Sequence, residues 1–224
     1  MTAHPCPPRA AGLLAAAAVL VLSLTGCRTI HEVKIDAISD PSKPTGTAYR
    51  LEVNEPSGGI EKETINQAAE GVRRALASKG MYEAPANAQP DIVIFMEAGV
   101  GPGQMKIVYQ SSGDPFGAER RSPRPMLVHE KYIKLSAREP VPVETAPAAG
   151  SRDRRTRQSK QGAEVWNVHV GIEDPKKDLG PYIGILTTAS VDYIGTNSGQ
   201  EKTLIVDAQT GAVIKNDRQQ FASH

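Results

Sequence analysis

Hydrophobic and polar positions divide the chain into segments of very different character. An apolar run from Ala10 to Leu24, broken only by Gly12 and Ser23, follows a short polar start that carries Arg9. At about 15 residues it is too short to cross roughly 30 Å of hydrocarbon as a helix. It has the length and flanks of a secretory signal peptide. Residues 27–46 are polar, include Pro41 and Pro44, and read as a tether. From Thr47 to Asn54, Tyr49, Leu51 and Val53 alternate with Ala48, Arg50 and Glu52, which predicts a half-buried strand.

Pro56-Ser57-Gly58-Gly59 ends that strand, and a helix follows from about Ile60 to Lys79. Ile65, Ala68, Ala69, Val72, Ala75 and Leu76 recur at three- and four-residue spacing and draw one apolar stripe. Glu61 and Glu63 suit the positive amino end, and Lys79-Gly80 the carboxyl end and its cap. Asp91 to Glu97 is then almost continuously apolar, as a central strand covered on both faces would be. Strand, helix and strand make a β–α–β unit whose crossover is right-handed if the strands are parallel.

The second half carries strand signals at 105–110, 127–135, 164–172, 182–193 and 203–206. The last leads through Gly211 to Ala212–Lys215, a hairpin pattern. The expected fold class is α+β: the β–α–β unit extended by an antiparallel sheet, with the one main helix on one face. Residues 47–224 form a single domain in this reading, with irregular insertions at about 111–126 and 140–163.

The apolar run ends in Leu24-Thr25-Gly26-Cys27, which resembles the bacterial lipobox in all four positions. Leu24 suits an apolar subsite, Thr25 and Gly26 are small, and the Cys27 thiol is the nucleophile that accepts a diacylglycerol. The resemblance implies removal of residues 1–26 and a lipid anchor at Cys27. Two or three fatty chains hold stably where one binds marginally. Arg28 and Thr29 follow, with no aspartate. By analogy with enteric sorting this implies the outer membrane, facing the periplasm. An ordinary secretory peptide would favour an A-x-A site instead.

Composition narrows the function further. Hydrophobic content of 39% with 23% charged residues fits a globular chain, while 17 prolines and 20 glycines predict irregular stretches. Arg9 is the only charge before Cys27, so residues 27–224 balance 25 basic against 25 acidic side chains. That balance speaks against a nucleic-acid partner. Both cysteines fall at or before position 27, which leaves the body no thiol for catalysis, metal binding or a disulfide.

Tyr49 to Phe95, with Ala75, Leu76, Lys79, Gly80, Pro90, Asp91, Ile92 and Val93 at the signature positions, also resembles a family. These are uncharacterised bacterial outer-membrane lipoproteins grouped under a domain of unknown function. Its motifs are structural and bring no catalytic residue.

Other chemistry is sparse. Arg152, Arg154, Arg155, Arg157 and Lys160 face only Asp153 within 151–162. They would suit an anionic surface, lipid headgroup or envelope polymer, at about 1 kcal/mol per cation. A solvated charged insertion is what such runs usually are. Gly99-Val100-Gly101-Pro102-Gly103 leads into a strand rather than a helix, so a turn or bulge is expected and not a phosphate loop. His129 and His169 lie on predicted strands without a local carboxylate partner, and neither H-E-x-x-H nor G-x-S-x-G occurs. No cofactor or metal is implied. The sequence therefore supports a non-enzymatic lipoprotein that serves as an accessory or scaffolding factor of the cell envelope, with the membrane and an envelope protein or polymer as partners. The alternative is an envelope hydrolase or ligand carrier with a site of dispersed residues. His129 and His169 converging with carboxylates would favour it.

Overall fold

The structure, a computed structural model, describes residues 30–54, 59–113, 119–141, 162–208 and 210–214, with backbone alone over 109–113 and 119–121. Its centre is one eight-stranded sheet in the order β3-β2-β4-β5-β6-β1-β7-β8. The strands are β1 (Ile30–Ser39), β2 (Ala48–Val53), β3 (Tyr82–Glu83), β4 (Ile92–Gly113), β5 (Glu119–Arg138), β6 (Glu164–Asp174), β7 (Lys202–Asp207) and β8 (Val213–Ile214). Helices α1 (Lys62–Ser78) and α2 (Ile183–Ser190) pack on its inner face.

This corrects the expected fold class. The β–α–β unit does form, with β2 and β4 parallel and Tyr49 opposite Ile92. Among the described residues the fold is nevertheless mostly sheet, curled into a half-barrel, and not an α+β unit built on one helix. The reason is that three stretches read as irregular or misassigned join the architecture. Residues 30–39, placed in the tether, form β1 between β6 and β7. Most of the insertion at about 111–126 belongs to β4 and β5, which pair from Val93↔Arg138 to Gly113↔Glu119. The predicted strand at 182–193 is α2, flanked by short 3-10 turns. The insertion at 140–163 falls mostly outside the described residues.

Each inner row of the sheet is apolar. Ile94 and Met96 of β4, Ile133 and Leu135 of β5, Val168 and Val170 of β6, and Val33 and Ile35 of β1 are all almost wholly buried. Helix α1 lays Ile65, Ala68, Val72, Ala75 and Leu76 over them. It ends in a Schellman motif: Met81 N–H donates to Leu76 O at 3.1 Å and Gly80 N–H to Ala77 O at 2.9 Å, with Gly80 at φ +76. The two helices meet where α1 has no side chain. A Cβ on Gly71 would lie 2.8 Å from Thr187 Cγ2, so only glycine permits this approach. Trp166 is fully buried, and its indole N–H donates to Thr45 O at 3.2 Å.

Candidate functional surface

Among the described residues no helix covers the outer face of the sheet, which is polar. Pleating sends Glu97 of β4, Glu130, Tyr132 and Lys134 of β5, His169 and Glu173 of β6, and Lys34 and Asp36 of β1 to this side. Tyr132 lies at its centre. Its hydroxyl donates to Glu97 Oε1 at 2.6 Å, and its ring stacks on His169 with centroids 5.5 Å apart. His169 Nε2 is 3.0 Å from Glu130 Oε1. The ring lies flat because its neighbour on β4 is Gly99, where a Cβ would come within 2.6 Å of the tyrosine oxygen.

Beside this group, Glu173 is held by two cations, Lys34 at 2.8 Å and Lys106 in closer contact still. Burial alone would raise the Glu173 pKa, but the hydrogen bonds from Lys106 and Lys34 outweigh it and lower it. The same bond to Glu173 raises Lys34. The cluster keeps one unit of positive charge.

A second polar corner closes the inner side at the same end of the sheet. Lys131 takes a position in the apolar row of β5 and is fully buried. Its ammonium donates to His129 O at 3.0 Å and to Asp174 O, and sits 5.6 Å from the Tyr182 ring centroid. Desolvation lowers the Lys131 pKa, opposed by the Asp174 charge. Tyr182 is pushed up to about 12 by burial, then by the charge of Asp174 and a hydrogen bond to it.

Beyond this corner β4 and β5 leave the sheet as a two-stranded arm. Partner pairing of β6 with β5 stops at Asp174↔His129, and that of β2 with β4 at Val53↔Met96. Among the described residues the two arm strands pair only with each other to Gly113↔Glu119, a reach of about 35 Å from Gly103 at about 3.4 Å per residue. The glycine-rich segment forms a bulge at the arm's root, as expected. Between Val100↔Lys131 and Gly103↔His129, β4 spends one residue more than β5. That extra residue reverses the facing of everything after it. Met105 pairs with Leu127 and Ile107 with Pro125 on the inner side, while Lys106 and Arg124 take the outer side. Met105 is 67% exposed, Ile107 68% and Leu127 49%.

The structure brings few of the sequence candidates together. Leu24, Thr25, Gly26 and Cys27 lie outside the described residues, as do Arg152, Arg154, Arg155, Arg157 and Lys160. His129 and His169 do not converge. His129 turns inward and approaches Gly101 O at 3.3 Å, while His169 faces out. Its carboxylate partner, Glu130, comes from the neighbouring strand, a pairing only strand register can reveal. Ser198 is buried and bonded to β1, accepting from Ala37 N–H and donating to Ala37 O, both at 3.1 Å. Among the described residues the outer face has a polar depression of about 150 Å³ beside Phe95, Lys134 and Arg138, below the roughly 300 Å³ of a small-molecule site, and a cavity of about 350 Å³ lies at the bulge between Val100, Gly103, His129 and Lys177. Among the described residues no three His, Cys, Asp or Glu side chains gather to hold a metal, and no helix is long and apolar enough to cross a membrane.

No protein family matches the sequence, and no curated protein does. Among solved structures, a PDZ domain protein from Parabacteroides distasonis is similar at TM-score 0.40 and 10% identity over 87% of this chain. The chain spans 42% of that protein's length. The PelC dodecamer from Paraburkholderia phytofirmans is similar at TM-score 0.38 and 12% identity, covering 74% of this chain and 99% of that one. Likenesses this faint carry no argument about function.

Proposed function

We propose that the chain is a bacterial lipoprotein anchored through Cys27 in the outer membrane, facing the periplasm, and that it acts as a non-enzymatic accessory or scaffolding factor of the cell envelope. It resembles the uncharacterised outer-membrane lipoproteins named above. The observation that carries the reading is Leu24-Thr25-Gly26-Cys27 directly after a 10–24 apolar run. The fold is compatible with it in two respects. Strand β1 begins at Ile30, so a lipid on Cys27 would hold the sheet close to the bilayer rather than on a long tether. The inner face is filled by core side chains, which leaves edges and surfaces for partners. The basic residues from Arg152 to Lys160 would add contacts to anionic envelope polymers.

Mass spectrometry of the amino-terminal peptide from fractionated cells tests the anchor. A diacylglyceryl-modified Cys27 in the outer-membrane fraction, lost in Cys27→Ala, is the expected result. An unmodified terminus in the soluble fraction would sink the reading. The second reading, a hydrolase or ligand carrier, draws on the His169–Glu130 pair at 3.0 Å beside Tyr132. Envelope hydrolysis lost on His169→Ala, with the fold intact by circular dichroism, would move it ahead.

A further inference from the structure

We propose that the cavity at the root of the β4–β5 arm binds a small organic anion, a carboxylate with an apolar tail. The cavity is lined by Val100, by Gly101, Pro102 and Gly103 of the bulge, by His129 of β5 and by Lys177 beyond β6. Its volume of about 350 Å³ falls within the range of small-molecule sites, about 300–1,000 Å³.

The bulge makes the room. An extra residue between Val100 and Gly103 bends β4 at this point, and glycine keeps the space beside it empty. A Cβ on Gly103 would lie 2.9 Å from His129 Cε1 and 2.9 Å from Leu127 Cδ1, so a side chain there would press on the imidazole.

His129 supplies a polar atom. The residue is only 6% exposed and is held at two points. Its carbonyl accepts from Lys131 Nζ at 3.0 Å, and its ring Nδ1 is 3.3 Å from Gly101 O. A carbonyl oxygen can only accept, so Nδ1 carries a proton and Nε2 is left over. Nothing among the described residues bonds to Nε2, and no described side-chain nitrogen or oxygen is sealed from solvent without a partner. This nitrogen therefore opens on the cavity that the ring lines.

Lys177 sets the charge of the ligand. It is exposed and has no ion pair among the described residues. Its segment is tied on both sides: Asp174 Oδ1 accepts from Lys176 N–H at 2.9 Å, and Asp178 Oδ1 accepts from Gly180 N–H at 3.0 Å. The acids at the end of β6 are already engaged, Glu173 by Lys34 and Lys106 and Asp174 by Lys131 at 3.8 Å. A bound carboxylate would take charge-assisted bonds from Lys177 and from Nε2–H of the protonated ring. Val100 and Pro102 line the same space with hydrocarbon, which a tail would cover and a bare inorganic anion would not. The site does not depend on whether Cys27 is acylated.

The test uses the whole chain labelled with [13C]histidine. Its five histidines are resolved by NMR, with His129 assigned through His129→Gln. Hexanoate is expected to shift the His129 Cε1–H resonance and to saturate at concentrations on the order of millimolar. Hexylammonium, with the same tail and the opposite charge, should leave it unmoved. Inorganic phosphate at the same pH and ionic strength should bind about tenfold more weakly. Lys177→Ala should weaken hexanoate about threefold or more, and Gly103→Ala should abolish the shift. Because Lys177 is exposed, its variant tests the site even where the glycine variant does not fold. No shift with hexanoate, an equal response to hexylammonium or to phosphate, or an affinity for hexanoate unchanged in Lys177→Ala would overturn the proposal.

Discussion

The buried Tyr182 hydroxyl offers a sharp test of the electrostatics at the sheet end. Its pKa of about 12 stands two units above the ordinary tyrosine value. At about 1.4 kcal/mol per unit, the folded state favours the protonated phenol by about 2.7 kcal/mol. The raised value means that this stability is fully present below pH 10 and is lost as pH rises toward 12. Tyr182→Phe keeps the ring, its edge contact with His31 at 5.3 Å and its place near Lys131. It removes only the hydroxyl and its bond to Asp174, a loss of about 1 kcal/mol at neutral pH. The two effects oppose each other. The variant should be less stable by about 1 kcal/mol at pH 7, equal to the wild type near pH 11, and more stable above that. Urea unfolding of both proteins from pH 7 to 12 measures it, with other titrating groups cancelling in the difference. A difference that keeps its sign across the range would refute the assigned burial and the Asp174 coupling.

Three further outcomes follow from close contacts. Gly71→Ala gains about 1 kcal/mol of helix propensity but drives a methyl to 2.8 Å from Thr187, which is locked by its hydroxyl bond to Ile183 O. Overpacking costs about 1–3 kcal/mol, so a lowered denaturation midpoint is expected and a raised one would contradict the packing. Gly99→Ala should displace the Tyr132 ring from Glu97 and His169, costing about 1–2 kcal/mol; unchanged ring resonances in NMR spectra would count against it. Deleting Pro102 removes the extra residue of the bulge and should leave Met105 opposite Leu127 and Ile107 opposite Pro125 in a ladder that runs without interruption. Cross-strand NMR contacts from Gly103 onward should be preserved, and a shifted register would refute the one-residue count.

The elements legible in the sequence were those whose local pattern agrees with their surroundings. Helix α1 was expected over 60–79 and spans Lys62–Ser78, because its alanine-rich stripe has only one use. Strands β2 and β4 follow from an alternating and a nearly continuous apolar run, while their parallel pairing is supplied by the structure. Strand β1 had the same alternation, with Val33, Ile35 and Ala37 inward and Lys34 and Asp36 outward, but nearby prolines and a polar composition masked it. The arm was masked by Pro123 and Pro125, which are admissible on an open strand edge. Helix α2 is rich in β-branched residues and apolar on most sides, since it is enclosed between α1 and the sheet. Such a segment has no stripe to betray its period. The Glu97–Tyr132–His169–Glu130 group depends on the register of three strands, which no single segment encodes.

The position of β1 also dictates the order in which the molecule can be completed. Its neighbours are β6 and β7, so that Lys34 and Glu173, in contact across the sheet, are 139 residues apart in the chain. Closing such a loop is slow and costs entropy that only late contacts return. The first strand to emerge is thus among the last to find its place, and until residues beyond 164 arrive its apolar row has nothing to lie beside. A chain delivered amino end first would keep its beginning unstructured throughout delivery. That interval is one in which an enzyme could act on the residues ahead of Ile30, and in which a holding factor would find Val33, Ile35 and Ala37 uncovered.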